Sequence, residues 1–299
     1  MFWHKEKQME FWFSEFHTPD VKHSIRVNKQ LYSKQSDYQR IDIFETPEFG
    51  RVLTLDGNVM LTERDEFIYD EMIVHVPMAV HKEAKDILVI GAGDGGVVRE
   101  LTRYDRVERI DLVEMDPQVV EACRAYLPGN ACRMDDRRVH IYFENALKYI
   151  RRCEEEYDLI IVDSSDPFGP SEGLFTREFY GSCFNALKED GIMVNQQGSP
   201  FYTEDASAMQ RSHKRIASTF PVSRSIRHTS RPSPPATGSS ALPARSTTPS
   251  TTWTPTHGRR SICAPATIPP GSTSELSICR HSSRRCCAKW RNPNDLTQC

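Results

Sequence analysis

From Asp86 onward, apolar strand-like runs alternate with amphipathic helical runs, and this alternation restricts the fold more than any other feature of the 299-residue chain. Five runs have the length and apolar content of buried strands: ILVIG, RIDLVEMD, RVHIYFEN, YDLIIVDSSD and GIMVNQQGS. Each is followed by a helical run, the last being TEDASAMQRSHKRIAST. Strands connected through helices pair in parallel, with helices on both faces. The sequence therefore predicts an α/β domain that binds its ligands beyond the carboxyl ends of the strands.

The first 65 residues follow a different pattern, in which polar and apolar residues alternate with a period near two. The runs SIRVNKQLYS, QRIDIFET and RVLTLDGNVML show it, and Asp56-Gly57 is a strong hairpin signal. A helical run follows, with apolar residues at helical spacing at Phe67, Met72, Ile73 and Val76. We predict a small N-terminal β domain over residues 1–65 and the α/β domain over residues 66–224.

The composition changes abruptly after Arg224. The last 75 residues contain 24 Ser and Thr, 10 of the 19 Pro and 2 of the 41 acidic residues, and they contain no Phe or Tyr. Such a segment buries too little apolar surface to offset its conformational entropy. Its five cysteines form no CxxC pair, which disfavours a zinc module. Residues 225–299 are therefore predicted to be a disordered basic arm or a segment translated in the wrong reading frame.

The reading-frame hypothesis has a specific basis. One allowed set of codons for residues 225–249, preceded by a G and read from that base, encodes VYQAHIPTFPSGYWLFGFASKKYHP. That product contains a turn followed by an aromatic, apolar strand, which the printed tail lacks. We therefore favour a frame-shift over a natural arm, with both explanations kept open.

Net charge and hydropathy exclude several classes of function. The net charge is −3, so the whole chain has no cationic field that would attract nucleic acid. No apolar run approaches the roughly 18–20 residues that span a bilayer. The N-terminal run MFWHKEKQMEFWFSEF contains charges where a signal peptide has its apolar stretch. We expect a cytoplasmic protein without nucleic-acid or membrane partners.

A glycine loop and an acidic residue point to a nucleoside ligand. Gly91-Ala92-Gly93-Asp94-Gly95-Gly96 follows the first α/β strand, where glycines let the backbone approach a ligand closely. The spacing fits the GxGxG loop of S-adenosyl sites better than the dinucleotide fingerprint, although a plain tight turn is the alternative. Glu114 ends the second strand, where a carboxylate can accept hydrogen bonds from both ribose hydroxyls. The two features together favour a nucleoside site.

Polar residues also follow the other strands. Asp116 is predicted to be a helix N-cap before Pro117. Asn145 either caps the next helix or reads an adenine edge, and both roles can hold. Asp163 and Asp166 put two carboxylates at the mouth of the sheet, where like charges repel. A cationic substrate explains them better than a solvated turn does.

Taken together, these motifs resemble those of the spermidine synthases, the polyamine aminopropyltransferases. The resemblance covers about residues 9–220 and rests on GAGDGGVVREL, LVEMD, YDLIIVDSSDPFGPSEGLFTREFY and LDGNVMLTERDEFIYDEM. It implies a Rossmann-like, methyltransferase-type parallel sheet after a small β domain, and a homodimer or homotetramer. It further implies aminopropyl transfer from decarboxylated S-adenosylmethionine to putrescine, which yields spermidine and 5′-methylthioadenosine.

The resemblance also implies roles for individual residues. Asp163 would be the catalytic base, assisted by Tyr69. Asp94 would favour a co-substrate that bears an amine and no carboxylate. No metal or other cofactor is implied, because a sulfonium already leaves readily. The implied nucleoside-binding set is Gln39, Gly91, Gly93, Asp94, Gly95, Glu114, Asn145, Ala146 and Pro170. The implied amine-binding set is Tyr69, Asp70, Asp163 and Asp166.

Some residues depart from the family pattern. Asp70 stands where members often have His or Gln, which suggests a longer or more cationic amine such as agmatine or cadaverine. Gly198 replaces a common Glu. The family segment after Arg224 normally supplies the last sheet strands and an active-site tyrosine, so we expect the printed chain to be an inefficient enzyme. The rival hypotheses are an S-adenosylmethionine-dependent methyltransferase and a non-enzymatic nucleoside-binding protein with a basic arm.

Overall fold

The computed structural model of the protein describes residues 9–165, 169–197, 202–223, 225–229 and 237–241. The chain divides into two units, Met1–Thr247 and Thr248–Cys299, and every described residue belongs to the first. Among the described residues, no helix combines the length and the apolar character needed to cross a bilayer.

The N-terminal part is built from two small antiparallel sheets, which confirms the predicted β domain. The first sheet is a hairpin of β1 (Phe11–Thr18) and β2 (Val21–Val27). The second contains, in chain order, β3 (Lys29–Gln35), β4 (Arg40–Thr46), β5 (Gly50–Leu55) and β6 (Asn58–Thr62). The alternating run SIRVNKQLYS divides at Asn28 into β2 and β3, which belong to different sheets.

The predicted Asp56-Gly57 hairpin is present between β5 and β6. Both residues have positive φ, +49° at Asp56 and +81° at Gly57, and Leu55 pairs with Asn58 across the loop. Two-residue loops with positive φ at both positions match the twist of the strands that they join. This local signal was therefore sufficient to predict the turn.

Helix α1 (Glu66–Val80) leads into the α/β domain, as predicted. Its buried face differs from the predicted one, because Phe67 is 42% exposed while Asp70 is 4% exposed. Ile73, Val74 and Met78 supply the apolar contacts to the sheet. A carboxylate thus replaces an apolar residue on the buried stripe, at the end of the helix nearest the glycine loop.

The α/β domain has five parallel strands: β7 (Asp86–Gly91), β8 (Arg109–Glu114), β9 (Val139–Phe143), β10 (Tyr157–Asp163) and β11 (Leu187–Gln197). They lie in the order β11-β10-β7-β8-β9. The connecting helices are α2 (Gly96–Leu101), α3 (Pro117–Tyr126), α4 (Pro128–Ala131), α5 (Ala146–Ile150), a 3-10 helix (Gly169–Phe175), α6 (Arg177–Ala186) and α7 (Thr203–Ala217).

Two apolar cores cover the two faces of this sheet. Helices α1 and α2 pack on one face, and α5, α6 and α7 pack on the other. A third cluster joins α3 to β4 and β5 of the N-terminal sheet through Ile41, Ile43 and Cys123. Strand order reverses between β7 and β10, and a crevice forms at such a switch point, beyond the carboxyl ends of the strands. Gly91 and Asp163 end these two strands and pair with each other.

The sheet continues past Arg224 with two antiparallel strands, β12 (Ser225–Thr229) and β13 (Thr237–Ala241). Strand β13 pairs with the edge strand β11, and β12 pairs with β13. An edge strand offers unpaired backbone groups, so pairing there does not require apolar side chains. Ten residues of segment 225–299, which was predicted to be a disordered arm or a frame-shifted product, therefore form strands. The rest of that segment lies outside the described residues.

Candidate active site

The glycine loop between β7 and α2 brings the backbone close to two acidic residues. Gly91 has φ +80°, and a Cβ there would lie 1.9 Å from the carbonyl oxygen of Asp163. A Cβ on Gly93 would lie 2.8 Å from Oε2 of Glu114. Gly95, at φ +94°, is the N-cap of α2. These glycines are therefore required by close packing at the mouth of the sheet.

Asp94 projects from this loop at the start of α2. Its Oδ1 accepts hydrogen bonds from the Gly96 amide at 2.9 Å and from Asn130 Nδ2 at 3.4 Å. Burial raises the pKa of the Asp94 carboxyl. The backbone of the glycine loop thus fixes a partly desolvated carboxylate at the crevice.

Glu114 ends β8 beside the glycine loop, as expected. Its Oε1 accepts a hydrogen bond from the Asp116 amide at 2.9 Å, and its other oxygen faces Gly93. Burial raises the pKa of Glu114 to about 7. The carboxylate therefore lies where a ligand on the glycine loop would meet it.

Asp116 is the N-cap of α3, which confirms the prediction. Its Oδ1 accepts from the Gln118 amide at 3.0 Å. Its Oδ2 accepts from Ser36 Oγ at 2.6 Å and from Gln39 Nε2 at 3.2 Å. The loop between β3 and β4 thus carries Gln39 to the α3 end of the crevice.

Asn145 is the N-cap of α5, which confirms one of its two predicted roles. Its Oδ1 accepts hydrogen bonds from the amides of Leu147 at 3.0 Å and Lys148 at 3.2 Å. Ala146 is the first residue of the helix. The adenine contact of Asn145 and the nucleoside-binding role of Ala146 stay predictions.

Asp163 ends β10 and is contacted by α1. The Tyr69 hydroxyl donates a hydrogen bond to Asp163 Oδ1. Burial and the charge of Asp94 raise the pKa of Asp163 to about 7, while the bond from Tyr69 opposes this increase. Burial and the Asp163 charge raise the pKa of Tyr69 well above its usual range. The Tyr69 hydroxyl is therefore the donor of this bond, and the Asp163 carboxyl has a pKa near neutrality.

Asp70 lies one residue farther along α1 and packs against the start of α2. A Cβ on Gly96 would lie 1.9 Å from Asp70 Oδ2. Burial, then the charges of Asp94 and Glu66, raise the pKa of Asp70 well above its ordinary value. Arg99 Nη2 lies 3.6 Å from the same oxygen but is also paired with Glu66 at 2.8 Å.

The structure brings most of the predicted site residues to one edge of the sheet. Asp166 and Gly198 lie outside the described residues, and Pro170 is described only as part of the 3-10 helix. Sequence reasoning did not single out Arg99, Glu66, Ser36 or Asn130 as part of the site. Of these four residues, only Arg99 could have been suggested by its spacing from the glycine loop, because it follows Gly96 by three residues on the short helix α2.

The crevice is strongly acidic. Asp70, Asp94, Asp163 and Glu114 all have a pKa raised by burial. Among the described residues, Arg99 is the one cation within ion-pair distance of any of them. Such an arrangement binds cationic ligands, since they relieve the repulsion among these carboxylates.

Comparisons with known proteins agree with this geometry. The spermine/spermidine synthase domain matches residues 66–236, and the spermidine synthase tetramerisation domain matches residues 11–63. A polyamine aminopropyltransferase of Alkaliphilus oremlandii is 62% identical over 214 residues, which are 72% of this chain and 75% of the relative. One from Clostridium perfringens is 62% identical over 216 residues, which are 72% of this chain and 76% of the relative.

Solved structures give the same result. A spermidine synthase in complex with the transition-state analogue AdoDATO superposes with a TM-score of 0.75 at 42% identity, over 79% of this chain and 80% of that one. The spermidine synthase from Thermotoga maritima gives a TM-score of 0.76 at 41% identity, over 80% of each chain. The chain belongs to the spermine/spermidine synthase family.

Proposed function

We propose that this site transfers an aminopropyl group from decarboxylated S-adenosylmethionine to putrescine, giving spermidine and 5′-methylthioadenosine. The observation that carries the proposal is the Tyr69–Asp163 pair, set among buried carboxylates beside a nucleoside-type glycine loop. The curated relatives of the chain are named polyamine aminopropyltransferases, and this name describes the same transfer.

The reaction is a displacement at the methylene carbon attached to the sulfonium. The amine nitrogen forms a bond to that carbon, the carbon–sulfur bond breaks, and its electron pair neutralises the sulfur. The nitrogen must also lose a proton. An alkylamine with a pKa near 10.4 is protonated at pH 7, and freeing its lone pair costs about 4–5 kcal/mol. Holding the amine against the sulfonium carbon reduces the remaining barrier.

Asp163 is the group we assign to accept that proton. A pKa of about 7 makes it a stronger base than an ordinary aspartate, and about half of it is still ionised at neutral pH. Tyr69 donates to Oδ1, which leaves Oδ2 to face the amine. The sulfonium is already a good leaving group, so the chemistry requires no metal.

Asp94 supports the decarboxylated co-substrate over S-adenosylmethionine. The carboxylate of S-adenosylmethionine would add a negative charge to a crevice that already contains Asp94, Asp163 and Asp70. A primary ammonium at the same place would be attracted by them. This charge balance disfavours the methyltransferase alternative.

The remaining contacts follow from the same geometry. Glu114 would accept hydrogen bonds from the ribose hydroxyls, and Asn145 with Ala146 would border the adenine. Gln39 and Pro170 would complete the nucleoside site. Asp70 and Asp166 would hold the far ammonium of the diamine. Because Asp70 adds a carboxylate there, agmatine and cadaverine are the alternative acceptors.

We also propose that the chain assembles into a homodimer or homotetramer through its N-terminal hairpin. Phe11, Trp12 and Phe16 are 62%, 54% and 69% exposed on β1. Apolar side chains clustered on one hairpin indicate a covered surface. The match to a tetramerisation domain over the same residues supports this assembly.

The direct test compares two donor substrates on the full chain. With decarboxylated S-adenosylmethionine and putrescine, we expect release of 5′-methylthioadenosine and spermidine. With S-adenosylmethionine, we expect no S-adenosylhomocysteine when putrescine, agmatine or cadaverine is the acceptor. Methyl transfer in place of aminopropyl transfer would overturn the proposal.

A further inference from the structure

We infer that Asp116, besides capping α3, is a positioning residue that fixes the orientation of the Gln39 amide toward the nucleoside. The inference rests on the proposed function, because it assumes that a nucleoside occupies the glycine loop. Asp116 is 1% exposed and lies between two sheets, at the turn that follows β8.

The two carboxylate oxygens of Asp116 have separate partners. Oδ1 accepts from the Gln118 amide at 3.0 Å, which alone satisfies the helix cap. Oδ2 accepts from Ser36 Oγ at 2.6 Å and from Gln39 Nε2 at 3.2 Å. A cap needs one oxygen, so the second one is used to hold the loop between β3 and β4.

This contact decides which end of the Gln39 side chain is available to a ligand. The Oδ2 atom of Asp116 accepts a hydrogen bond from Nε2 of Gln39, so the donor end of the amide lies toward Asp116. The Oε1 atom is then left as an acceptor. The adenine amino group donates hydrogen bonds, and a ribose hydroxyl can donate as well as accept, so both can bond an acceptor at this place.

Ser36 strengthens the arrangement from the loop side. Its Oγ accepts hydrogen bonds from the backbone amides of Tyr38 at 3.1 Å and Gln39 at 3.0 Å. Ser36 is 7% exposed. The Asp116 amide in turn donates to Glu114 Oε1 at 2.9 Å, so one residue contacts both Gln39 and the acid at the ribose end.

Asp116→Asn is the informative variant, because asparagine caps helices as well as aspartate does. With its oxygen on the helix, the new amide would present a donor to Gln39. The Gln39 side chain would then turn its Oε1 toward the new amide at position 116 and offer Nε2 to the nucleoside. Gln39→Ala removes the amide altogether. Asp135→Asn, with a side chain that is 84% exposed, is a control of equal charge change.

The test is a double-mutant cycle on the full chain, with 5′-methylthioadenosine binding measured by calorimetry. We expect Asp116→Asn to weaken binding about tenfold in the wild-type background, with kcat at saturating donor changed less than twofold. In the Gln39→Ala background we expect Asp116→Asn to have no further effect. Asp135→Asn should not change affinity. Thermal melting of each variant checks its folding, and Ser36→Ala replaces Asp116→Asn if the latter does not fold.

Equal weakening by Asp116→Asn in both backgrounds would overturn the inference, because the residue would then act through folding or charge alone. A wild-type chain that binds no 5′-methylthioadenosine would instead overturn the proposed function. The two failures are therefore distinguishable.

Discussion

The hydroxyl of Tyr69 donates a hydrogen bond to Oδ1 of Asp163, which connects helix α1 to the carboxyl end of strand β10. The pair lies at the point where strand order reverses, beside the glycine loop. A neutral donor on a carboxylate favours its ionised form, whereas burial and Asp94 favour the protonated form. These opposing effects set the pKa of the proposed base near neutrality.

Removal of the Tyr69 hydroxyl should shift the pH dependence of the reaction. In Tyr69→Phe the pKa of Asp163 loses the bond that lowers it, so it rises above about 7. Because the base must be ionised, the acid limb of kcat/KM should move to higher pH, by about one unit for one charge-assisted hydrogen bond. Tyr180→Phe is the control, since that buried hydroxyl bonds Ser212 near the other face of the sheet. An unmoved acid limb in Tyr69→Phe would contradict the assignment.

Glu114 should make the free protein less stable as pH rises. Its pKa is about 7 in the fold and 4.5 in its ordinary state, so the fold favours the protonated form. The stability that this provides is complete below about pH 4.5 and is lost as pH rises through 7. Glu114→Gln should therefore be more stable than wild type at pH 8, by at most about 3 kcal/mol. Thermal melts of both proteins across this range test the prediction, and a constant difference would refute it.

Asp70 should widen the range of amines that the site accepts. Its carboxylate adds attraction for a distant cation, so we expect agmatine or cadaverine to react with a kcat/KM within about tenfold of putrescine. Asp70→Asn should raise the KM of the longer amines more than that of putrescine. Glu71→Gln removes a carboxylate from the next position of the same helix and should leave the preference unchanged. An amine panel measures both, and an unchanged ranking in Asp70→Asn would exclude the role.

The coding DNA should contain a single-base change near codons 220–230. One allowed back-translation of residues 225–249 encodes YQAHIPTFPSGYW in the other frame, and this product resembles the family segment that follows the fifth parallel strand. Resequencing the gene tests the hypothesis directly. If the change is found, the repaired chain should melt at a higher temperature and turn over faster than the printed one. An uninterrupted frame in the DNA would show that the printed tail is genuine.

The parts of the site that the sequence predicted follow either from the topology of the parallel sheet or from contacts between residues close in the chain. The carboxyl ends of parallel strands meet at one edge, so Gly91, Glu114 and Asp163 had to lie together once the strands were recognised. Caps such as Asp116 and Asn145 were predictable because they depend on neighbours within three residues. Both kinds of inference use local patterns and one rule of topology.

The parts that the sequence did not predict depend on distant contacts. Nothing near Ser36 indicates that it bonds Asp116, 80 residues away. Asp70 was predicted as an amine-binding residue, but its burial depends on the packing of α1 on α2, which no local pattern in the sequence indicates. Strand β13 pairs with β11 through backbone groups, which no apolar pattern in the tail announces.

Whether Asp163 is the base is tested by Asp163→Asn in the full chain, measured for both turnover and 5′-methylthioadenosine affinity. The amide keeps the shape of the side chain but cannot accept the proton of the amine. We predict that turnover falls by at least about a hundredfold while affinity stays within about threefold. Retained turnover, or an equal loss of turnover and binding, would contradict the account of Asp163 as the base.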